Sequence, residues 1–302
     1  MARFTVHEIH CKSAMNAVRG MPFSWSLNPY RGCRHACVYC YARPTHEYLG
    51  LDAKAGFQEI ILAKVNAPEV ARKELSRKTW RGENVVIGTA TDPYQQAESR
   101  YRITRGILEA FRDARNPVSI TTKSPMVLRD LDLLSDLARH VPVTVHFTVT
   151  TMDETLWKEI EPTTSKPRKR LEALTTLREH GIHAGVFLSP VLPGLTDDEE
   201  HLEAVIAAAA EAGAEFIFSQ PLRLGPGISE YYLPWLERAH PHLAHDYQRL
   251  YRYNSPPAHY ADRVKERVRT LKAKHGLQDR IPEIKIERAS PPLPTQLRLL
   301  PL

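Results

Sequence analysis

The segment "NPYRGCRHACVYCYAR", residues 28–43, contains three of the four cysteines of this 302-residue chain. Cys33, Cys37 and Cys40 follow the spacing Cys-x3-Cys-x2-Cys. Four cysteines are too few for a disulfide framework in a chain of this length, and their clustering favours metal or redox chemistry. The segment therefore predicts a metal-binding or reactive loop, and the surrounding sequence indicates which fold carries it.

The composition is typical of a soluble globular protein, with 42% hydrophobic and 25% charged residues. No run of apolar residues is long enough to span a bilayer, and the N-terminus lacks the pattern of a secretory signal. These features predict a cytoplasmic protein with no membrane association. The net charge of +6 suits an anionic partner such as nucleic acid, and it suits an ordinary solvated surface equally well.

From about residue 84 the sequence repeats a short β-branched run, a loop and an amphipathic helix. Five such runs predict strands: "VVIGTA" (85–90), "VSITT" (118–122), "VTVHFTVT" (143–150), "AGVFLS" (184–189) and "EFIFS" (215–219). The segment "PFSWSLNPY" before the cysteines supplies a sixth strand. Six strands alternating with helices predict an α/β fold, a partial (β/α)6 TIM-type barrel with its active site at the C-terminal strand ends. The cysteine loop directly follows the first of these strands.

The composition also suggests three segments. Residues 1–21 are interpreted as an N-terminal arm, 22–227 as the barrel and 228–302 as a C-terminal extension. Within the extension, "YYLPWLERAHPHLAHDYQRLYRY" and "HYADRVKERVRTLKAKHG" predict helices rich in Tyr, His, Arg and Lys. The end, "SPPLPTQLRLLPL", contains too many prolines to form a helix.

The cysteine spacing allows three interpretations. A structural zinc site needs a fourth ligand, which His35 or His46 could provide. A disulfide with one spare thiol is a second possibility. The third is an iron–sulfur cluster held by three thiolates, which leaves one iron without a protein ligand and open to another molecule.

The motif C-x3-C-x2-C, placed after the first strand of a partial barrel, resembles the radical S-adenosylmethionine (SAM) superfamily. This resemblance implies a [4Fe-4S] cluster on Cys33, Cys37 and Cys40, with SAM chelating the open iron. One electron from the cluster would cleave SAM to methionine and a 5′-deoxyadenosyl radical that abstracts hydrogen. Tyr39, the aromatic residue before the last cysteine, also fits the family pattern, in which this position approaches the adenine.

The second predicted strand ends in "GTATDPYQQAE", where the superfamily has the motif that holds the methionine amino group. The resemblance places Thr91 and Asp92 at this motif, with Asp92 as the acceptor for the ammonium. Hydroxyl and carboxylate oxygens suit such a partner. Asp92 also precedes a proline, which is typical of a turn, and both interpretations stay open.

Four further residues are candidates for SAM binding. Lys123 ends the third strand and Arg170 lies in "KPRKRLEAL", so either cation could pair with the methionine carboxylate. Thr148 and Thr150 share one face of the fourth strand, where their hydroxyls could hold a ribose. Each also has an ordinary interpretation as a surface lysine, a solvated helix start or a capped strand end.

Several phrases narrow the resemblance to the spore photolyase-like branch: "NPYRGCRHACVYCYAR", "TDPYQ", "TKS", "IEPTTSKPRKRLEAL" and "PVLPGLTD". Spore photolyase reverses a thymine photodimer in DNA, and a cysteine after its second strand returns a hydrogen atom to the product. That position is Thr89 here, and an alkyl hydroxyl is a very poor hydrogen-atom donor. Tyr94 and Tyr41 are candidates for a tyrosyl relay, although buried tyrosines commonly serve only in packing.

The sequence therefore predicts a radical SAM enzyme with lyase- or transferase-type chemistry that abstracts hydrogen from an unknown substrate. A nucleic acid is the first candidate, because of the relative and the basic, aromatic extension; DNA repair would follow from it. The chemistry also implies an electron donor, a reductase or a flavodoxin- or ferredoxin-type protein. The alternative is a zinc-stabilised nucleic-acid-binding protein without catalysis.

Overall fold

The computed structural model describes residues 4–277. Its strands are β1 (Thr5–Ile9), β2 (Met15–Ala17), β3 (Trp25–Leu27), β4 (Tyr30–Arg31), β5 (Ile60–Lys64), β6 (Val85–Ile87), β7 (Val118–Thr122), β8 (Val143–Thr148), β9 (His183–Val191) and β10 (Ile217–Pro221). Its α-helices are α1 (Gly56–Glu59), α2 (Ala67–Leu75), α3 (Glu98–Tyr101), α4 (Ile103–Ala114), α5 (Leu131–Ala138), α6 (Glu154–Ile160), α7 (Pro167–Glu179), α8 (Glu199–Glu211), α9 (Ser229–Ala239), α10 (Ala244–Leu250) and α11 (Ala258–Lys274). Short 3-10 helices cover Arg43–Leu49, Pro125–Asp130 and Pro241–Leu243.

The large sheet contains the six predicted parallel strands in the order β10-β9-β8-β7-β6-β3, and β2 adds an antiparallel strand at its β3 edge. The register aligns Leu27, Ile87, Ile120, Val145 and Ala184 in one row across five strands. All five side chains are fully buried in the main core. The predicted α/β fold with a partial six-stranded barrel is therefore confirmed.

Side-chain alternation along the strands separates two faces of this sheet. In β8, Val145 and Phe147 join the helix-side core, which includes Ile107 and Phe111 of α4. Burying an aliphatic or aromatic side chain of this size contributes about 1.5–3 kcal/mol, so this layer stabilises the barrel. Residues of the other parity, such as His146, face the bore of the barrel.

A second sheet, with the order β1-β5-β4, was not expected from the sequence. Strand β5 pairs with β1 in parallel and with β4 in antiparallel orientation. Because β4 immediately precedes the cysteines, this small sheet anchors one end of the cysteine loop. The loop is also tied to helix α1, since the Cys33 amide donates to the Phe57 carbonyl at 3.0 Å.

The C-terminal segment forms helices α9, α10 and α11, as the sequence predicts. Helix α11 closes the β10 side of the barrel, and Tyr260, Val264, Val268 and Leu271 bury their side chains in the main core. The proline-rich end of the predicted extension lies outside the described residues, and the three-segment division stays a prediction. Between residues 4 and 277, no helix combines the length and hydropathy needed to cross a bilayer.

Candidate active site

The three clustered cysteines lie at the C-terminal end of β3 and are free thiols, as is Cys11. The side chains of Cys33 and Cys37 are buried. Cys40 is partly buried and packs against the two hydrophobic clusters that contain Cys37 and Cys33. Burial raises the pKa of Cys33 above its ordinary value, and raises the pKa of Cys37 to about 12. Binding of an iron centre would therefore have to displace protons from these thiols.

The three cysteines and the two nearby histidines can be compared with the donor set that a single metal ion needs. Among residues 4–277, no three His, Cys, Asp or Glu side chains converge on one position for a metal ion. The thiolates of an iron–sulfur cluster bind different irons, so they need not converge. The two histidines considered for zinc have other partners: Nδ1 of His35 lies 3.2 Å from Asp92, and Nε2 of His46 lies 3.0 Å from the Ile60 carbonyl.

The entry to the cysteine loop requires a glycine. Gly32 has φ +77°, and a Cβ at this position would lie 2.7 Å from the Ile60 carbonyl oxygen. The Gly32 carbonyl accepts hydrogen bonds from Thr91 Oγ1 at 2.6 Å and from Gln95 Nε2 at 3.1 Å. Gln95 also accepts from the Arg34 amide at 2.9 Å. Thr91 therefore lies at the loop as expected, with its hydroxyl already donating to protein.

Asp92 supports the same loop from the end of β6. Its Oδ1 accepts from the Tyr94 amide and the Thr122 hydroxyl, both at 2.8 Å, and its Oδ2 accepts from the Lys123 amide at 2.7 Å and faces His35. Burial opposes ionisation of the carboxyl, but the charge of His35 and these hydrogen bonds outweigh it and lower the pKa of Asp92 to about 2. Each carboxylate oxygen thus has two partners within the protein.

A second buried network joins the loop to the end of β8. The Tyr39 hydroxyl donates to Glu161, which forms an ion pair with Arg170. Neither Glu161 nor Arg170 has any exposed surface. Burial raises the carboxyl pKa, but Arg170 and Lys123 outweigh this effect, so the pKa of Glu161 is lowered.

The two predicted threonines of the fourth barrel strand belong to this network. Arg170 Nη1 donates to the Thr148 carbonyl at 2.7 Å, and the Thr150 hydroxyl donates to Glu161 at 3.2 Å. Both threonine side chains are buried. Arg170 also bonds the Ser165 carbonyl and the Thr164 hydroxyl, so its donors are occupied by the protein.

Lys123 differs from the other predicted contacts. Its ammonium lies 5.5 Å from the centre of the Tyr39 ring and forms no hydrogen bond with any residue in the described range 4–277. Burial lowers the pKa of this ammonium, but negative charge on Cys37 and Glu161 outweighs that effect and raises it. Lys123 is therefore a cation beside the cysteines that is available to an added anionic group.

The two predicted catalytic residues lie in different places. Thr89 lies at the strand end, where its hydroxyl accepts from Asn28 Nδ2 at 3.0 Å and its carbonyl accepts from the Tyr41 hydroxyl. Tyr94 is buried in the main core, where burial and the charge of Asp130 raise its pKa well above the ordinary value. This environment favours a packing role for Tyr94, and the relay role stays a prediction.

The bore carries an aromatic wall that the sequence analysis did not identify; it consists of His146, Phe187, Phe216 and Phe218. The rings of His146 and Phe187 are stacked with centroids 4.4 Å apart, and Phe218 lies 5.7 Å from Phe187 with 48% of its surface exposed. Burial lowers the pKa of His146 to about 4, so its imidazole is neutral near pH 7. Its Nδ1 has no hydrogen-bond partner among residues 4–277.

Sequence reasoning also missed the roles of Glu161, Gln95 and Arg43. Glu161 lies in "IEPTTSKPRKRLEAL" and Arg43 ends "CYAR", two phrases already recognised as part of the family resemblance. Their full burial was the missing information, because a buried charged side chain is rare and has a specific partner.

Comparisons with known proteins agree with this geometry. Residues 27–205 match the family model described as the Radical SAM superfamily. An uncharacterised protein of Mycobacterium tuberculosis is 42% identical over 278 residues, covering 90% of this chain and 82% of that protein. The radical SAM Nalpha-GlyT isomerase of Pseudomonas phage M6 is 26% identical over 184 residues, covering 60% of this chain and 36% of that protein.

Among solved structures, a spore photoproduct lyase mutant with bound AdoMet and dinucleoside spore photoproduct has the same fold. The TM-score is 0.67 at 15% sequence identity, and the match covers 89% of this chain and 78% of that chain.

Proposed function

The chain belongs to the Radical SAM superfamily and is an enzyme, and we propose that it uses a [4Fe-4S] cluster on Cys33, Cys37 and Cys40 to start hydrogen abstraction. The observation that carries this proposal is the set of three free thiols at the C-terminal end of the first barrel strand. His35 and His46, the candidates for a fourth zinc ligand, already have partners within the protein, so the donor set favours a cluster over the zinc alternative.

Cys33, Cys37 and Cys40 would hold the cluster, which would supply the electron for cleavage of SAM to methionine and a 5′-deoxyadenosyl radical. The protein's own residues hold and enclose this site. The main-chain and side-chain bonds at Gly32, Thr91 and Gln95 fix the entry to the loop. Tyr39 and Glu161 fix its far side. Burial of Cys33 and Cys37 keeps water from the thiolates, which favours a low-dielectric environment for electron transfer.

For SAM itself, we infer different roles for the predicted contacts. Lys123 is the residue that would pair with the methionine carboxylate, because its ammonium faces the cysteines without a hydrogen-bonding partner among residues 4–277. Asp92 and Arg170 hold the backbone and side chains around that position. We propose that a ribose would contact Thr148, which ends β8, and Thr150, which follows it.

A nucleic-acid substrate is our proposal for the hydrogen donor to the radical. The aromatic wall of the bore offers a stacking surface for a planar ring, and Phe218 is the most exposed of its rings. Arg249 is exposed on α10, Arg252 is exposed just after this helix, and the neighbouring Tyr253 exposes 84% of its surface. These groups suit a phosphate backbone and an unstacked base. The spore photoproduct lyase with the same fold has a dinucleoside spore photoproduct bound.

The proposed reaction needs an electron donor, a reductase or a flavodoxin- or ferredoxin-type protein. It also needs reduced thiols, which favours the cytoplasm as the location of this enzyme. The resemblance to spore photolyase places Thr89 where that enzyme has its hydrogen-returning cysteine, so DNA repair by that route would require a different donor.

The test is an anaerobic assay for 5′-deoxyadenosine. The protein is reconstituted with iron and sulfide, reduced with dithionite and mixed with SAM, and the product is measured by chromatography. A Cys33→Ala, Cys37→Ala, Cys40→Ala triple variant and a Cys11→Ala variant are treated in parallel. We expect 5′-deoxyadenosine from the wild type and from Cys11→Ala, and none from the triple variant. Equal product from the triple variant would refute the proposal. Ultraviolet-irradiated DNA oligonucleotides then serve as the first substrate probe.

A further inference from the structure

Arg43 lies three residues beyond Cys40 and has no exposed surface. Its guanidinium is held under the cysteine loop by main-chain and amide oxygens. Nη2 donates to the Cys37 carbonyl at 3.0 Å and to Gln58 Oε1 at 3.2 Å, while Nη1 donates to the Lys54 carbonyl at 2.8 Å. The guanidinium is therefore fixed directly against the segment that carries the cluster ligands.

Two aromatic rings enclose the same guanidinium. Its central carbon lies 3.5 Å from the centre of the Tyr231 ring and 5.5 Å from that of Phe57. Stacking of this kind stabilises a cation but does not neutralise it. The Nε atom is buried with no hydrogen-bond partner, and no carboxylate of residues 4–277 lies within 4.0 Å of this guanidinium.

Arg170, the second fully buried arginine, provides a comparison for Arg43. Arg170 has Glu161 as an ion-pair partner, whereas Arg43 has only neutral acceptors. A buried charge without a counter-charge is costly, and an arginine cannot avoid the cost by losing its proton. A fold that buries Arg43 in this way therefore indicates a negative charge that belongs at this place.

We propose that Arg43 is the counter-charge of the iron–sulfur centre and a positioning residue that raises its reduction potential. The inference rests on the proposed function. Three thiolates outweigh the formal charge of an oxidised four-iron core, so the centre is anionic, and one-electron reduction adds a further negative charge. A fixed cation in a low-dielectric environment stabilises the reduced form more than the oxidised form. The bond to the Cys37 carbonyl keeps this cation next to the ligand loop.

The experiment is a redox titration followed by electron paramagnetic resonance on the reconstituted full-length enzyme. The variants are Arg43→Gln, which removes the charge, and Arg43→Lys, which keeps the charge but loses the planar fork. Arg168→Gln, an exposed position at the start of α7, provides the matched control. Iron and sulfide are quantified in every sample before titration.

We expect the midpoint potential of Arg43→Gln to shift to more negative values, while Arg43→Lys stays near the wild type and Arg168→Gln is unchanged. An unchanged midpoint in Arg43→Gln at equal iron content would overturn the proposal. If Arg43→Gln does not retain iron, the midpoint potential of Arg43→Lys becomes the test. A midpoint of Arg43→Lys well below that of the wild type would overturn the proposal, because this variant keeps the positive charge. Failure of the proposed function gives a different result, in which the wild type takes up zinc and no sample contains a cluster. That result would overturn both the proposed function and the role of Arg43.

Discussion

Two buried carboxylates support the cysteine loop from opposite sides, and the protein neutralises them differently. Asp92, at the end of β6, relies on His35, on the Thr122 hydroxyl and on main-chain amides. Glu161, after β8, relies on the permanent charge of Arg170 and on hydroxyl groups. The Asp92 side of the loop is therefore held by several moderate hydrogen bonds, whereas the Glu161 side depends mainly on one ion pair.

Both sides also show why a charged residue near a cofactor site need not touch the cofactor. Asp92 and Arg170 were both candidates for direct SAM contacts, and each has its hydrogen-bonding positions filled by protein groups. Lys123 lies between the two sides, with its amide bonded to Asp92 and its ammonium near Glu161. The two carboxylate networks therefore support the loop, and Lys123 stays the predicted contact for the ligand.

The largest expected effect is on the Glu161 side. Arg170→Met leaves a buried carboxylate without its cation, and we expect a loss of about 3–5 kcal/mol in the free energy of unfolding. Urea denaturation of the metal-free protein measures it, with the exposed Arg168→Met as control. Adding Glu161→Gln to Arg170→Met should recover part of the loss. A loss below about 1 kcal/mol in the single variant would mean that the ion pair does not hold this side.

A smaller effect is expected on the Asp92 side. Asp92→Asn replaces an acceptor oxygen by an NH2 group facing main-chain donors, which should cost about 1–3 kcal/mol. The exposed Asp262→Asn is the control. SAM affinity of the reconstituted enzyme is measured alongside by calorimetry. Unchanged stability together with lost SAM binding would favour Asp92 as the direct acceptor for the ammonium instead.

The stability that Asp92 contributes should also depend on pH within a defined range. The folded-state pKa of Asp92 is about 2, below the ordinary value of 3.8. A lowered pKa means that the carboxylate contributes stability above pH 4 and loses this contribution as the pH falls towards 2. The stability difference between wild type and Asp92→Asn should therefore be constant from about pH 5 to 7 and shrink below about pH 4. A difference that grows on acidification would contradict this sign.

The smallest effect on stability is expected at Lys123. Lys123→Gln removes a cation that makes no hydrogen bond within residues 4–277 but interacts with Glu161, so the free energy of unfolding should fall by less than about 1 kcal/mol. SAM affinity should fall by roughly ten- to a hundredfold, because a hydrogen bond to a charged group contributes about 1.5–3 kcal/mol. Lys169→Gln, exposed on α7, is the control. Equal SAM affinity in the two variants would assign the carboxylate to another residue.

The barrel was predictable because its strands are short, nearly continuous apolar runs separated by amphipathic helices. The small sheet was not, because β1 reads "TVHEI" with mostly exposed side chains and β4 has two residues. Neither segment shows the periodicity by which strands are recognised in a sequence. Pairing with β5 creates these strands, across 55 residues for β1 and 31 to 33 residues for β4, and that pairing has no local signal.

The sequence predicted the position of the cysteine loop after the first barrel strand, from the spacing and the βα units together, but it did not predict the supporting networks. Tyr39 and Glu161 are 122 positions apart, and the bond between them follows only from the folded barrel. The sequence identified Asp92 and Arg170 as notable residues but could not reveal that protein donors and acceptors occupy them. Arg43 gave no signal until its burial without a carboxylate was visible in the described residues.

The most direct test of the account is the metal and sulfide content of the anaerobically purified protein. Iron, zinc and acid-labile sulfide are measured per chain in the wild type and in the triple variant Cys33→Ala, Cys37→Ala, Cys40→Ala. The account predicts about four iron and about four sulfide per wild-type chain, and neither in the triple variant. One zinc per chain without sulfide, lost in the triple variant, would contradict it and favour a zinc-stabilised binding protein.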